Sequence, residues 1–261
     1  MFVCSTKTPG MKKIEFEVAG KRYGYDVPEN WEELTQEQFV VFAGGVSDKP
    51  TVDAETVRRI IGLDDVVTVS LNIADWWIVV QEFDWMANLE DYKTGKMDTV
   101  TLPDGTVCLG FSDDFSDVTW QEWMIADSNA NVGRWDVVAA VLYRPQKADW
   151  DHKSDPRGEF SQWDCDARLP QFQKLEKEVL SAVALNYKLM RLMLTRRYKR
   201  LFNGGGDKGG GADLQTLIRN IMGDNFFEED KYLKLSVPSV LFQLDRMVRE
   251  ERERRRNARA N

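Results

Sequence analysis

The sequence has little histidine and cysteine, the residues on which most transition-metal sites and many catalytic sites depend. Its 261 residues include one histidine, His152, and three widely separated cysteines, Cys4, Cys108 and Cys165, with no CxxC pair. Histidine-based zinc or iron sites need several ligands, and disulfide frameworks need paired cysteines. The single histidine effectively excludes a histidine-based metal site, and the spacing of the cysteines argues against a disulfide framework and for reduced thiols in a cytosolic setting. We therefore expect no cofactor, and we expect neither His152 nor a cysteine to perform catalysis.

Long apolar runs are also missing. No stretch approaches the ~20 apolar residues that cross a bilayer, and the first residues are too short and polar for a secretory signal. We expect a cytoplasmic protein without a membrane partner.

Tryptophan is absent after Trp163, and the net charge of −8 is uneven, because residues 245–261 carry seven arginines against four acidic residues. The interleaved acids and the acidic remainder argue against a specific nucleic-acid partner.

Two hairpins, each followed by a capped helix start, are the clearest local signals. The alternating residues of 14–27 predict the first hairpin, and those of 98–110, which contain an Asp-Gly turn, predict the second. Each hairpin precedes a capping box, formed by Thr35 with Gln38 and by Thr119 with Glu122. The repetition fits either an internal duplication or coincidence.

Helical periodicity dominates the rest of the chain. The longest pattern predicts one helix over residues 169–202, with Pro170 in its first turn. Shorter patterns predict further helices over residues 36–42, 53–61, 71–89, 135–143, 213–222 and 238–256. The tryptophans fall mostly on apolar helix faces, which favours core packing over a ligand cage. The expected fold is α+β, mostly helical with two short β-hairpins and a long central helix.

A glycine-rich stretch divides the chain. Residues 204–211 contain six glycines in eight residues, which is typical of a flexible linker. We expect a main domain over residues 1–203 and a small helical extension over 212–261. The apolar face of the last helix is too short to form a core alone. It must therefore dock either on residues 1–203 or on a partner, and in the second case the partner-binding residues are Val240, Leu241, Leu244, Met247 and Val248.

The loop over residues 146–168 is the one place where carboxylates could hold a cation. Asp149, Asp151 and Asp155 are close in sequence, but they lack the EF-hand pattern, and a solvated, salt-bridging loop is favoured. Asp155-Pro-Arg-Gly158 predicts turn chemistry. The glycine stretch does not match a phosphate-binding loop, since a helix precedes it and no Ser or Thr follows its lysine. No enzyme signature is present.

The order of these pieces resembles a known family. The hairpin with its Leu34-Thr-Gln-Glu-Gln-Phe39 helix entry, the apolar helix ending in Leu142-Tyr-Arg-Pro145, the long helix and the glycine linker are similar to the tail assembly chaperones of long-tailed phages. The resemblance spans residues 14–256. It implies a non-enzymatic protein of the host cytoplasm, a possible homo-oligomer, that binds the tail tube protein, the tape-measure protein or both during virion morphogenesis. In that family a C-terminal extension recruits the tail tube protein.

Two other functions stay open. The first is a structural virion protein of the head–tail connector or neck, which would remain in purified particles. The second is a metal-assisted hydrolase that uses the acidic loop of residues 149–166.

Overall fold

The computed structural model describes residues 3–8, 11–45, 52–151, 153, 155–202 and 229–260. His152, the predicted linker 204–211 and the predicted helix 213–222 lie outside the described residues. Within the described residues the expected fold class is confirmed, since helices dominate and two small antiparallel sheets accompany them. In this part of the chain no helix is both long and apolar enough to cross a membrane.

The strands are β1 Val3–Thr8, β2 Met11–Val18, β3 Lys21–Val27, β4 Thr99–Thr101, β5 Val107–Leu109 and β6 Arg144–Pro145. The helices are α1 Gln36–Gly45, α2 Ala54–Ile61, α3 Asp65–Thr68, α4 Ile73–Gln81, α5 Trp120–Asn131, α6 Trp135–Leu142, α7 Gln162–Phe172, α8 Lys177–Arg197, α9 Lys199–Phe202, α10 Glu229–Leu233 and α11 Val237–Ala260. Short 3-10 turns lie at Trp31–Glu33, Asp84–Ala87 and Leu89–Asp91.

The chain forms two compact units that share one helix. The first unit is Met1–Asp98 with Glu176–Asn186, and the second is Thr99–Leu175 with Tyr187–Asn261. Helix α8 therefore supplies its first half to one unit and its second half to the other.

The first unit joins a three-stranded sheet to a core of aromatic side chains. Strand β2 lies between β1 and β3, and β2 and β3 are joined by a turn in which Ala19 and Gly20 both have positive φ, as a tight two-residue hairpin requires. Trp31 is buried and makes edge-on contacts with the rings of Phe42, Trp85 and Tyr92.

Helix α8 is tied into the first unit by hydrogen bonds. Buried Asn186 accepts hydrogen bonds from the Tyr92 hydroxyl at 2.8 Å and from the Lys96 backbone N–H at 2.9 Å. At the other end of this segment, N–H groups on both terminal nitrogens of Arg59 donate hydrogen bonds to the Glu178 carboxylate. These contacts join residues distant in sequence, and they fix the first half of α8 against this unit.

The second unit packs helices around α6, which is the apolar helix of the sequence. Val138 to Tyr143 are all buried, and α5 and α7 pack on α6. Strands β4 and β5 form the expected hairpin around Gly105, whose φ is +86°. Strand β6 continues directly from α6 and adds a third strand to this hairpin.

Both predicted capping boxes are present, one in each unit. Thr35 and Gln38 exchange hydrogen bonds between side chain and backbone, as do Thr119 and Glu122. Each unit thus contains a hairpin followed by a capped helix. Whether this reflects a duplication stays a prediction.

The prediction of a single helix over residues 169–202 is wrong. Ser161 caps α7 well before Pro170, which lies inside α7 instead of in a first turn. The amides of Lys174 and Leu175 then bond to carbonyls three residues back, which tightens and ends α7 before α8 begins. The apolar spacing continues across this break, so periodicity alone could not locate it.

The sequence also misplaced the end of one helix and missed one strand. The helix expected over residues 71–89 ends at Gln81, because the amides of Glu82 and Phe83 bond to carbonyls three residues back and 3-10 turns follow. The polar strand β1 pairs with β2 along its whole length and was not predicted. Its sequence, Val-Cys-Ser-Thr-Lys-Thr, contains β-branched residues but no apolar alternation.

Candidate interaction surface and buried ion cluster

The acidic loop carries a buried ion cluster instead of a cation site. Arg157 is only 1% exposed, and its side chain lies 3.0 Å from Asp155 and 3.1 Å from Asp117. Buried Arg144 lies 3.1 Å from Glu122 and 3.2 Å from the same Asp155. Two guanidiniums and three carboxylates are therefore held together, and Asp155 is shared between the two arginines.

Backbone groups complete this ion cluster. Arg157 donates to the carbonyl of Leu142 at 3.0 Å, and Arg144 donates to the carbonyl of Gly158 at 2.6 Å. The loop folds back on β6, since Gly158 N–H donates to Pro145 O. The cluster thus joins the end of α6, the start of α5 and the loop between β6 and α7.

The electrostatics of the cluster follow from burial and pairing. Burial acts to raise the pKa of the Asp155 carboxyl, but hydrogen bonds from Arg157 and the charges of both arginines outweigh it and hold the pKa below its usual value. Burial lowers the pKa of the Arg144 guanidinium, while the charge of Glu122 opposes that shift. The backbone N–H of Arg157 also donates to Asp155 at 2.9 Å, which confirms the predicted turn chemistry.

The other loop carboxylates do not join Asp155. Asp149 and Asp151 are exposed, and in the part of the chain that the structure describes, no three His, Cys, Asp or Glu side chains are placed to hold a metal ion. Asp155 is committed to two arginines. The described loop therefore offers no geometric support for the metal-assisted hydrolase.

The two described cysteine side chains, Cys108 and Cys165, are buried, and burial raises the pKa of each thiol to about 11. Because the thiolate is the reactive form, both groups should be inert at neutral pH. In a Cys4→Ser variant, we expect a thiol reagent to label neither cysteine in the folded protein and both in urea. Labelling of either folded thiol at the rate of a free cysteine would contradict this.

The residues predicted to bind a partner are largely covered by the chain itself. Val240, Leu241 and Leu244 are buried, and α11 packs on α9 and α5. The backbone supports this docking, since Trp120 N–H donates to Leu235 O at 2.8 Å and Val237 N–H donates to Val118 O at 2.9 Å.

Only Met247 and Val248, of the five predicted partner-binding residues, keep part of their side chains accessible. The described part of the extension thus docks on the second unit, which was one of the two expected outcomes. Partner binding by this helix stays a prediction, and it now concerns only the side of the helix that carries Met247 and Val248.

The arginine-rich half of α11 forms a shallow groove with α9. Its cavity of about 320 Å³ is lined by Arg200, Arg249, Arg252, Glu253 and Arg256. Arg200 and Arg249 both lie within 4 Å of Asp245, so part of the positive charge is already neutralised. This groove fits the expectation of a mixed-charge, solvated helix end.

An exposed apolar surface in the first unit is the feature that the sequence prediction missed. Ile73 is 90% exposed and Trp77 64% exposed, one helical turn apart on α4. Ile78 on the same helix, and Val66 and Val69 in and just after α3, are exposed as well. We call these five side chains the α3–α4 surface.

The exposed side of α4 carries no charge. Its exposed residues are Ile73, Ala74, Trp77, Ile78 and Gln81, whereas the opposite side buries Val79 and Asp75. Asp75 closes the capping box with Asn72. Asp75, the only ionisable side chain of this helix, is therefore buried, and the apolar residues on the other side of the helix are exposed to solvent.

The tryptophans show why the surface was missed. Core packing is confirmed for the buried residues Trp31, Trp120 and Trp123, but it is wrong for Trp77 and for Trp163, which is 81% exposed. The run Trp76-Trp-Ile-Val-Val80 is apolar on every side of the helix. Such a run predicts a helix that is buried on every side, and it does not tell whether the cover comes from this chain or from another protein.

Comparisons with known proteins give no relative. The chain matches no protein family model, and no curated protein or solved structure is significantly similar to it.

Proposed function

We propose that this chain is a non-enzymatic phage tail assembly chaperone that acts in the host cytoplasm. On this proposal it binds the tail tube protein or the tape-measure protein through the α3–α4 surface. The observation that carries the proposal is the uncharged, exposed side of α4 with Ile73, Trp77 and Ile78. A folded protein seldom exposes several large apolar side chains on one short helix unless another molecule covers them.

The energetics suit a binding surface. Covering a large apolar side chain contributes about 1.5–3 kcal/mol, and tryptophan is among the residues that most often dominate binding energies. Trp77 lies between Ile73 and Ile78 on the exposed side of α4, so one partner could cover all three. An assembly chaperone needs this kind of reversible, apolar contact with a subunit that has not yet been incorporated.

The chemistry of the described residues supports a binding role over catalysis. The two described thiols have raised pKa values, and Asp155 is committed to two arginines. These groups serve the packing of the second unit.

Replacing Trp77 tests the proposal. We expect Trp77→Glu to reduce co-purification with the co-expressed tail tube or tape-measure protein at least tenfold, because a charge would have to be buried at the contact. Trp163→Glu is the matched control, since Trp163 is also exposed but lies in the second unit. Both variants should melt at the wild-type temperature.

Two results would overturn the proposal. Equal co-purification by the Trp77 and Trp163 variants would remove the α3–α4 surface from the function. Stoichiometric presence of the chain in purified particles, measured by mass spectrometry, would instead support the head–tail connector or neck protein.

A further inference from the structure

The segment that carries the α3–α4 surface has charge of only one sign. Residues 60–92 contain seven acidic residues and no lysine or arginine. In α11, by contrast, arginines and glutamates are mixed. The excess of carboxylates in this segment gives it a negative potential.

Several of these carboxylates face water near the ends of the two helices. Asp65, at the start of α3, has a side chain that is 97% exposed, and Asp84, three residues after α4, is also exposed. The neighbouring cations are already engaged. Lys12 pairs with Glu82, and Arg58 makes its closest ion pair with Glu55. Asp65 lies 3.8 Å from Arg58, at the edge of an ion-pair contact.

We propose that the occupant of the α3–α4 surface is a basic amphipathic helix of the partner protein, an inference that rests on the proposed function. The apolar stripe of that helix packs on Ile73, Trp77 and Ile78. Lysines or arginines beside the stripe lie against Asp65 and Asp84. An acidic helix with the same stripe is rejected by like charge.

A helix fits this surface better than an extended strand. The exposed residues of α4 include two pairs four residues apart, Ile73 with Trp77 and Ala74 with Ile78. Such ridges pack into the grooves between the ridges of a second helix. Recognition of a helix through residues spaced three and four apart is a common binding mode. An added strand would need a free sheet edge, and the α3–α4 surface is made of helices alone.

Two synthetic peptides test the charge selection on the full chain. Both carry the same leucine stripe over 18 residues; one has lysines on its flanks and the other has glutamates. We expect the basic peptide to bind at least tenfold more tightly by fluorescence anisotropy, and we expect its affinity to fall as salt increases. Equal affinities, or binding of the basic peptide that is independent of salt, would overturn the proposal.

Paired variants locate the effect. Asp65→Asn with Asp84→Asn should weaken binding of the basic peptide several-fold and leave the acidic peptide unchanged. Asp149→Asn, an exposed carboxylate of the second unit, is the control and should change neither. An unchanged affinity in the double variant would show that these carboxylates do not select the partner.

The two proposals can fail separately. If Trp77→Glu abolishes co-purification but the two peptides bind equally, the surface keeps its function and the charge selection is wrong. If Trp77→Glu has no effect and neither peptide binds, both proposals fail. The third probe is a peptide that copies residues 237–256 of this chain. If this peptide binds more tightly than the basic peptide and the chain dimerises through Trp77, the surface binds a second copy of the chain. That result would overturn the proposal of a partner helix.

Discussion

Arg157→Ala is expected to lower the free energy of unfolding of the second unit by about 3–5 kcal/mol, as removal of one partner from a buried ion pair does. The guanidinium is 1% exposed and contacts Asp155, Asp117 and the carbonyl of Leu142. Removing it would take one of the two guanidiniums from Asp155 and a donor from both Asp117 and the Leu142 carbonyl. Chemical denaturation with urea, followed by fluorescence, measures the loss.

Arg134 provides the matched control for Arg157. It also pairs with an aspartate, Asp136, at 3.0 Å, but its side chain is half exposed. Water replaces such a contact easily, so Arg134→Ala should lower the free energy of unfolding far less than Arg157→Ala does. Similar losses for the two variants would show that the ion cluster does not hold the second unit together.

Acidic substitutions in α8 should have effects of similar size. Val183 is completely buried in the half of α8 that belongs to the first unit, and Met190 is 1% exposed in the half that belongs to the second. Val183→Asp and Met190→Asp would each bury an unpaired carboxylate and cost several kcal/mol. A marginally stable protein would unfold. Circular dichroism melting of the purified variants measures this.

Leu192→Asp is the control on the same helix, because the Leu192 side chain is exposed. It should melt within a few degrees of the wild type. If the Val183 and Met190 variants stay folded and melt with the same cooperativity as this control, α8 is not part of the core of either unit.

Local signals in the sequence were sufficient for the two capping boxes and the two predicted hairpins. The capping boxes at Thr35 and Thr119 and the turn at Gly105 depend on residues within a few positions of each other. Their chemistry can therefore be recognised without knowing the fold. The apolar helix α6 and its stop before Pro145 are local in the same sense.

Features that depend on distant residues could not be predicted. The ion cluster joins Glu122, Arg144 and Arg157, which are far apart in sequence. The residues around each of them do not indicate that they pair. Asp155 therefore looked like part of a solvated loop. The covering of Val240 and Leu241 also depends on where α11 docks, and the apolar spacing of a helix does not reveal what it packs against.

The α3–α4 surface shows a different limit. Apolar residues on every side of α4 indicate that the helix is buried, but they do not tell whether the cover comes from the chain itself or from another protein. The structure leaves Ile73 and Trp77 exposed in this chain. This exposure, and not the sequence pattern, identifies the apolar run as a candidate binding surface.

Hydrogen exchange of the full chain, alone and with the co-expressed tail tube or tape-measure protein, locates the partner contact. If the partner covers the α3–α4 surface, amide exchange slows in residues 65–81 and is unchanged in α6 and α7. Slower exchange confined to residues 237–256, with residues 65–81 exchanging as in the free chain, would contradict binding at the α3–α4 surface.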